Sequence, residues 1–154
     1  MPGTVGAYGL QTVYNLELKI GISKQTSTWT YAPLAAGIDN LTEALNEIVQ
    51  QYFFMSDKGF ARNHVTGMAP AYTLTGRRIH GDAAQDFIFG EKFSLDTARQ
   101  SSLQLSDPAT NKTLTCDCTL CNIQEYGGAS TDDNAISFEL RLDGKPTLAD
   151  TQGA

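Results

Sequence analysis

Strict alternation of apolar and polar residues, recurring along the whole chain, constrains this sequence most. Leu16, Leu18, Ile20 and Ile22 are separated by Glu17, Lys19 and Gly21, and Ile136, Phe138, Leu140 and Leu142 by Ser137, Glu139 and Arg141. Neighbouring side chains on a strand point to opposite faces, so each run is a strand with one apolar face to bury. Further strands are expected at Ala71–Arg78, around Leu103 and Leu105, and where Leu114, Cys116, Cys118 and Leu120 share a face. Trp29 and Tyr31 begin another extended piece that Pro33 stops. The pattern gives at least five or six strands and one or two helices. Two sheets back to back, or one strongly curved sheet, would bury all those faces. The expected fold is therefore mainly β, a β-sandwich or curved sheet.

The connections carry their own signals. Asp82 can cap a short helix, Ala83–Phe89, that Gly90 ends. Residues 40–52 read two ways. Leu41, Ala44, Leu45, Ile48, Val49 and Tyr52 recur at helical spacing, and Asn40 with Glu43 could form a capping box. On pattern alone this is an amphipathic helix. Residues 52–55 (YFFM) then look extended, residues 56–59 (SDKG) form a turn, and 56–69 is a long polar connection. With 154 residues the chain fits one domain, since domains commonly run to about 100–150 residues. Its expected organisation is a Gly-rich arm at 1–13, a domain at 14–144 and a loose tail at 145–154.

Charge narrows the function. The chain carries a net charge of −6, which disfavours ordinary binding to phosphate backbones. Residues 117–154 hold seven acids against two bases. That is either a solvated acidic face or, if it lines a channel, a wall from which passing DNA is repelled. Asp117, Glu139 and Asp143 are the candidates for such a wall. Arg77 and Arg78 sit side by side on a strand; one could clamp a carboxylate from a neighbouring subunit, or guard a sheet edge against aggregation.

Catalytic and metal chemistry find little footing. Cys116, Cys118 and Cys121 are too few and too close for a disulfide framework. Cys118 and Cys121, three apart on a strand, face opposite sides, and a structural zinc site needs four ligands. Burial as small hydrophobes is the default. His80 and Asp82 flank Gly81, and His64 lies in the long connection, but no nucleophile elbow, phosphate loop or HExxH accompanies them. No catalytic, cofactor or metal residue is expected. No secretory leader is visible in MPGTVGAYGLQTVY and no apolar run approaches a membrane span, so the chain reads as the product of a reducing cytoplasm.

Residues 50–90 carry a resemblance. The runs QQYFFMSDKGF and VTGMAPAYTLTGRRIHGDAAQDFIFG are similar to the major tail tube proteins of tailed phages of Gram-positive hosts. AGIDNLTEALNEIVQQY and NIQEYGGASTDDNAISFELRLDGKP resemble the same group, and the likeness spans roughly residues 12–148. TGRRIHGDAAQDFIF, a strand, a Gly turn and an Asp-capped helix, is its strongest part. The resemblance implies a β-sandwich tail tube fold with one flanking short helix and extended loops or arms. It further implies a virion tail protein, made in the host bacterial cytoplasm and belonging to a phage or a phage-derived tailocin. Such a protein self-assembles as stacked homo-hexameric rings around a DNA-conducting lumen. The implied partners are copies of itself and other tail proteins such as tape measure and tail terminator, with DNA only in transit and no membrane. Long loops make the contacts between subunits, which puts Asp57, Lys58 and Arg62 beside Arg77 and Arg78 as contact candidates. It also implies an extended segment before YFF, against the helical pattern at 40–52. Two other readings are a β-sandwich binding module at a tail tip or cell surface, using Trp29, Tyr31 and Tyr126, and a secretion-system tube protein.

Overall fold

The computed structural model describes residues 7–150. Residues 1–6 of the expected arm and 151–154 of the expected tail lie outside them. The strands are β1 (Glu17–Gln25), β2 (Thr28–Pro33), β3 (Ile38–Ala44), β4 (Ile48–Tyr52), β5 (Arg62–Gly67), β6 (Ala71–Arg77), β7 (Gln100–Asp107), β8 (Lys112–Gln124), β9 (Ala135–Leu142) and β10 (Thr147–Asp150). The one α-helix among the described residues is α1 (Ala83–Gly90). A large antiparallel sheet runs in the order β2-β1-β7-β8-β9-β6-β3, β10 adds to β8, and β4 pairs with β5 as a separate ribbon.

That order forces the sheet to curl. β2 and β3 stand at opposite ends of the seven-strand path, yet residues Leu34–Gly37 alone join them. In a flat sheet six strand spacings would hold them about 29 Å apart. Five residue steps reach about 17 Å at most. The inner face of the curled sheet buries the alternating residues foreseen in the sequence: Ile20, Leu74, Leu103, Leu120, Phe138 and Leu140 are each at most 1% exposed. Helix α1 packs onto this face through Ala84, Ile88 and Phe89, and the Phe89 ring meets Phe138 edge to face at 6.2 Å. Where the Leu34–Gly37 link returns to the sheet, backbone lies against backbone. A Cβ on Gly76 would stand 2.0 Å from the Gly37 carbonyl oxygen, and the Arg77 N–H donates to that same oxygen at 2.7 Å. A residue larger than glycine does not fit at Gly76.

One open reading is resolved, one segment departs from expectation and a third is partly corrected. Residues 40–52 are extended, as the resemblance implied, and not the helix that the spacing alone suggested: they belong to β3 and β4, broken by a turn at residues 45–47 in which Asn46 takes φ 50. The helical stripe had no core to face: Leu41 packs against the core, while Leu45, Ile48, Val49 and Tyr52 are exposed. Residues 56–69 are not simply a polar loop, because Arg62–Gly67 pairs with β4 from Val49↔Val65 to Tyr52↔Arg62. In the expected loose tail, Thr147–Asp150 pairs in register with Lys112–Thr115, since β9 leaves that stretch of β8 uncovered.

Candidate subunit interface

The β4–β5 ribbon is an arm. It extends the β3–β6 ladder past Ala44↔Ala71, and its root is tied by the Ala69 N–H to the Leu45 carbonyl at 2.9 Å. Every residue of β4 is exposed. Toward the tip, Phe53, Phe54, Met55 and Phe60 are 64, 51, 93 and 78% exposed. A lone two-stranded hairpin is marginal in water, and a contiguous apolar patch on a soluble protein marks an interaction surface. The tip itself is well built. Lys58 and Gly59 take left-handed backbone (φ 53 and 94) to turn the chain. Arg62 then forks onto Asp57, Nε to Oδ2 at 2.6 Å and Nη2 to Oδ1 at 2.9 Å. Of the contact candidates, Asp57, Lys58 and Arg62 thus gather at the arm tip, and Lys58 makes no ion pair among the described residues.

Arg77 and Arg78 have other surroundings. Arg77 is exposed and donates to the Asp133 carbonyl at 2.9 Å. Arg78 is nearly buried, bonded to Glu125 at 3.0 Å and Asp86 at 3.1 Å, with its guanidinium 4.9 Å from the centre of the Phe89 ring. Lys92 reaches the second oxygen of Glu125 at 2.6 Å and lies over the rings of Tyr126 and Phe93. Lys92 first, and Arg78 after it, hold the Glu125 carboxyl below the usual carboxylate range against the opposing effect of burial. Beneath this network the wholly buried Gln85 donates to the carbonyls of Ala36 and Arg77 at 2.8 and 3.0 Å and accepts from the Ile79 N–H at 2.8 Å. Arg78 is therefore committed within its own subunit, where it ties β6, α1 and the end of β8 together. The roles of Glu125, Lys92 and Gln85 were not readable from the sequence, because their partners come from distant elements.

The three acidic candidates share one surface. Asp117, Thr119 and Cys121 alternate with buried Cys116, Cys118 and Leu120 on β8 and so lie on the outer face. Glu139 pairs across from Cys121, and Arg141 across from Thr119. Glu139 accepts from Arg141 and, at 3.2 Å, from Asn122, while Asp143 accepts from the Thr119 hydroxyl at 2.7 Å. Asp117, Glu139 and Asp143 thus meet on a polar wall spanning β8 and β9.

The residues weighed for other chemistries are not brought together. His64 lies on the exposed arm and His80 in the link before α1, whereas the cysteines are on β8. Burial pushes the Cys118 thiol up to about 12 and raises Cys116 as well, so neither is a thiolate at neutral pH. Trp29 and Tyr31 form no exposed aromatic patch. Trp29 lies against Gly21, where a Cβ would meet its ring at 2.6 Å, and the Tyr31 hydroxyl is bonded to buried Ser102 at 2.8 Å. Tyr126 is exposed but belongs to the Lys92 cluster. Among the described residues no helix is long and apolar enough to cross a membrane.

No protein-family model and no curated protein sequence matches this chain. Solved structures do. A chain in the tail of an empty gene transfer agent particle, refined helically with C6 symmetry, superposes with a TM-score of 0.71 at 13% identity, covering 90% of this chain and 98% of that one. A chain in the virion of a native gene transfer agent particle gives 0.68 at 12% identity over the same shares. The curled sheet with the one helix among the described residues is thus a fold found in the tail of a gene transfer agent particle, in keeping with the fold that the resemblance of residues 12–148 implied.

Proposed function

We propose that this chain is the structural subunit of a phage or phage-derived tail tube, that it assembles as hexameric rings stacked around a lumen, and that it performs no catalytic step and binds no cofactor. The observation that carries this reading is the apolar arm: a soluble subunit with Phe53, Phe54, Met55 and Phe60 in water has them for another surface to cover. The shared fold supports it, since the similar chain belongs to a tail refined with C6 symmetry. In this reading the arm joins one subunit to the next, with Asp57, Lys58 and Arg62 at its tip and Arg77 on the exposed rim of β6. Asp117, Glu139 and Asp143 face the lumen, where like charge keeps passing DNA from adhering. The partners are further copies of the chain, a tape measure, a tail terminator and DNA in transit, and the place of action is the virion tail.

Electron microscopy of the purified protein tests the proposal, with rings and tubes expected. Deleting residues 56–66 removes the turn and β5 up to Thr66, so the ribbon is lost while the large sheet keeps all its strands; a folded monomer unable to extend tubes is expected. Tubes of normal length from that deletion would overturn the assignment.

A further inference from the structure

A groove of about 290 Å³ opens between the segment preceding β1 and the first half of β3. Leu16, Leu34, Ile38 and Leu41 wall it, and the exposed residues Asp39 and Asn40 stand on its lining. An apolar cavity of about 150 Å³ already accepts a benzene ring, so this one accommodates a phenylalanine side chain. Beside it, β3 is paired with β6 along one edge and with no strand along the other among the described residues. The outer edge therefore offers backbone donors and acceptors to an incoming extended segment, with the groove as a side-chain pocket.

We propose that this groove is the socket for the arm tip, Phe53–Met55, of a second copy of the chain; the inference rests on the assembly reading above and names the surface the arm seeks. Three observations select this occupant. Consecutive exposed Phe53 and Phe54 supply ring-sized apolar groups, Phe54 on extended backbone, and the exposed thioether of Met55 follows where a 3-10 turn begins. The arm leaves β3 at its end, beyond Ala44, as a continuation of the β3–β6 ladder, whereas the groove lies at Ile38–Leu41, nearer the start of the same strand. The arm is thus directed away from its own socket, and the contact joins two different surfaces. Such a heterologous contact repeats from copy to copy. Charge also matches, because Lys58 at the tip meets Asp39 at the groove.

Cross-linking of the full-length protein tests this. In a Cys121→Ser background, one population carries Phe54→Cys and a second carries either Asn40→Cys or, for comparison, Tyr126→Cys on the other exposed aromatic surface. Mixed under mild oxidation, the Asn40→Cys pairing should yield at least about tenfold more covalent dimer, because docking raises the local concentration of the two thiols. Equal or greater yield with Tyr126→Cys, while micrographs still show tubes, overturns the socket and leaves the assembly reading standing. If sedimentation finds a monomer at every concentration, both fall. A charge exchange adds a second readout. Asp39→Lys and Lys58→Asp should each slow tube growth by about fivefold, the size expected of losing one pair and gaining a repulsion. The double variant should recover it. Wild-type growth in both single variants, or no recovery in the double, overturns the pairing.

Discussion

Four hydrogen bonds converge on the buried amide of Gln85, linking the Leu34–Gly37 turn, the end of β6 and the start of α1. Gln85→Leu keeps the volume and strands the Ile79 N–H and the carbonyls of Ala36 and Arg77. These bonds are partly buried and each is worth about 1 kcal/mol net, so urea unfolding should show a loss of about 3 kcal/mol. Glu125 makes a prediction about pH. Its pKa is depressed in the folded state, so the unfolded chain takes up the proton first as the solution is acidified. The contribution is complete above the ordinary value of about 4.3 and is lost as pH falls through the depressed one. Glu125→Gln should therefore melt below the native protein at neutral pH, with the gap closing below about pH 4 in melts taken across the acid range. Neither residue was legible in advance. A glutamine in a short helix reads as solvent-facing until the link from β2 is known to cross over it. Parity along β8 and β9 puts Asp117 and Glu139 on the outer face without any knowledge of partners, whereas Asp143 follows the end of β9 and takes its place from the fold.

At the level of elements, the sequence was most informative where local chemistry and burial agree. Asp82 accepts the Gln85 N–H at 3.1 Å, and α1 begins one residue later, as the cap signal required. Asp82→Ala should cost about 1 kcal/mol in thermal or urea unfolding, with the sheet unchanged. The strands with one buried face were equally readable, from Leu18 and Ile20 to Ile136 through Leu142. At residues 40–52 the extended alternative holds over the helical spacing for a physical reason. Periodicity locates a helix because apolar side chains face a core, whereas Leu45, Ile48, Val49 and Tyr52 face none within the subunit. Their spacing answers to an arm. For β10 there was almost no signal, since all four of its residues are exposed and its pairing depends on where β9 stops along β8.

For the whole molecule, stability is uneven by construction. The curled sheet buries a continuous core, while the arm rests on one ladder and a fork between Asp57 and Arg62. Hydrogen exchange followed by mass spectrometry should find Ile48–Gly67 exchanging rapidly in the isolated subunit and protected by at least about tenfold after assembly. β6, β8 and β9 should be slow in both states. Equal exchange of the arm in the two states would mean that assembly leaves it uncovered. The root of the arm has a further consequence. Leu45–Glu47 and Met68–Pro70 are braced by two hydrogen bonds, from the Ala69 N–H to Leu45 and from the Asn46 side-chain amide to the Ala69 carbonyl, each worth about 1 kcal/mol net. In the proposed assembly such a joint is where compliance would concentrate, with bending taken up around Asn46 and Pro70 ahead of the hydrogen-bonded sheet.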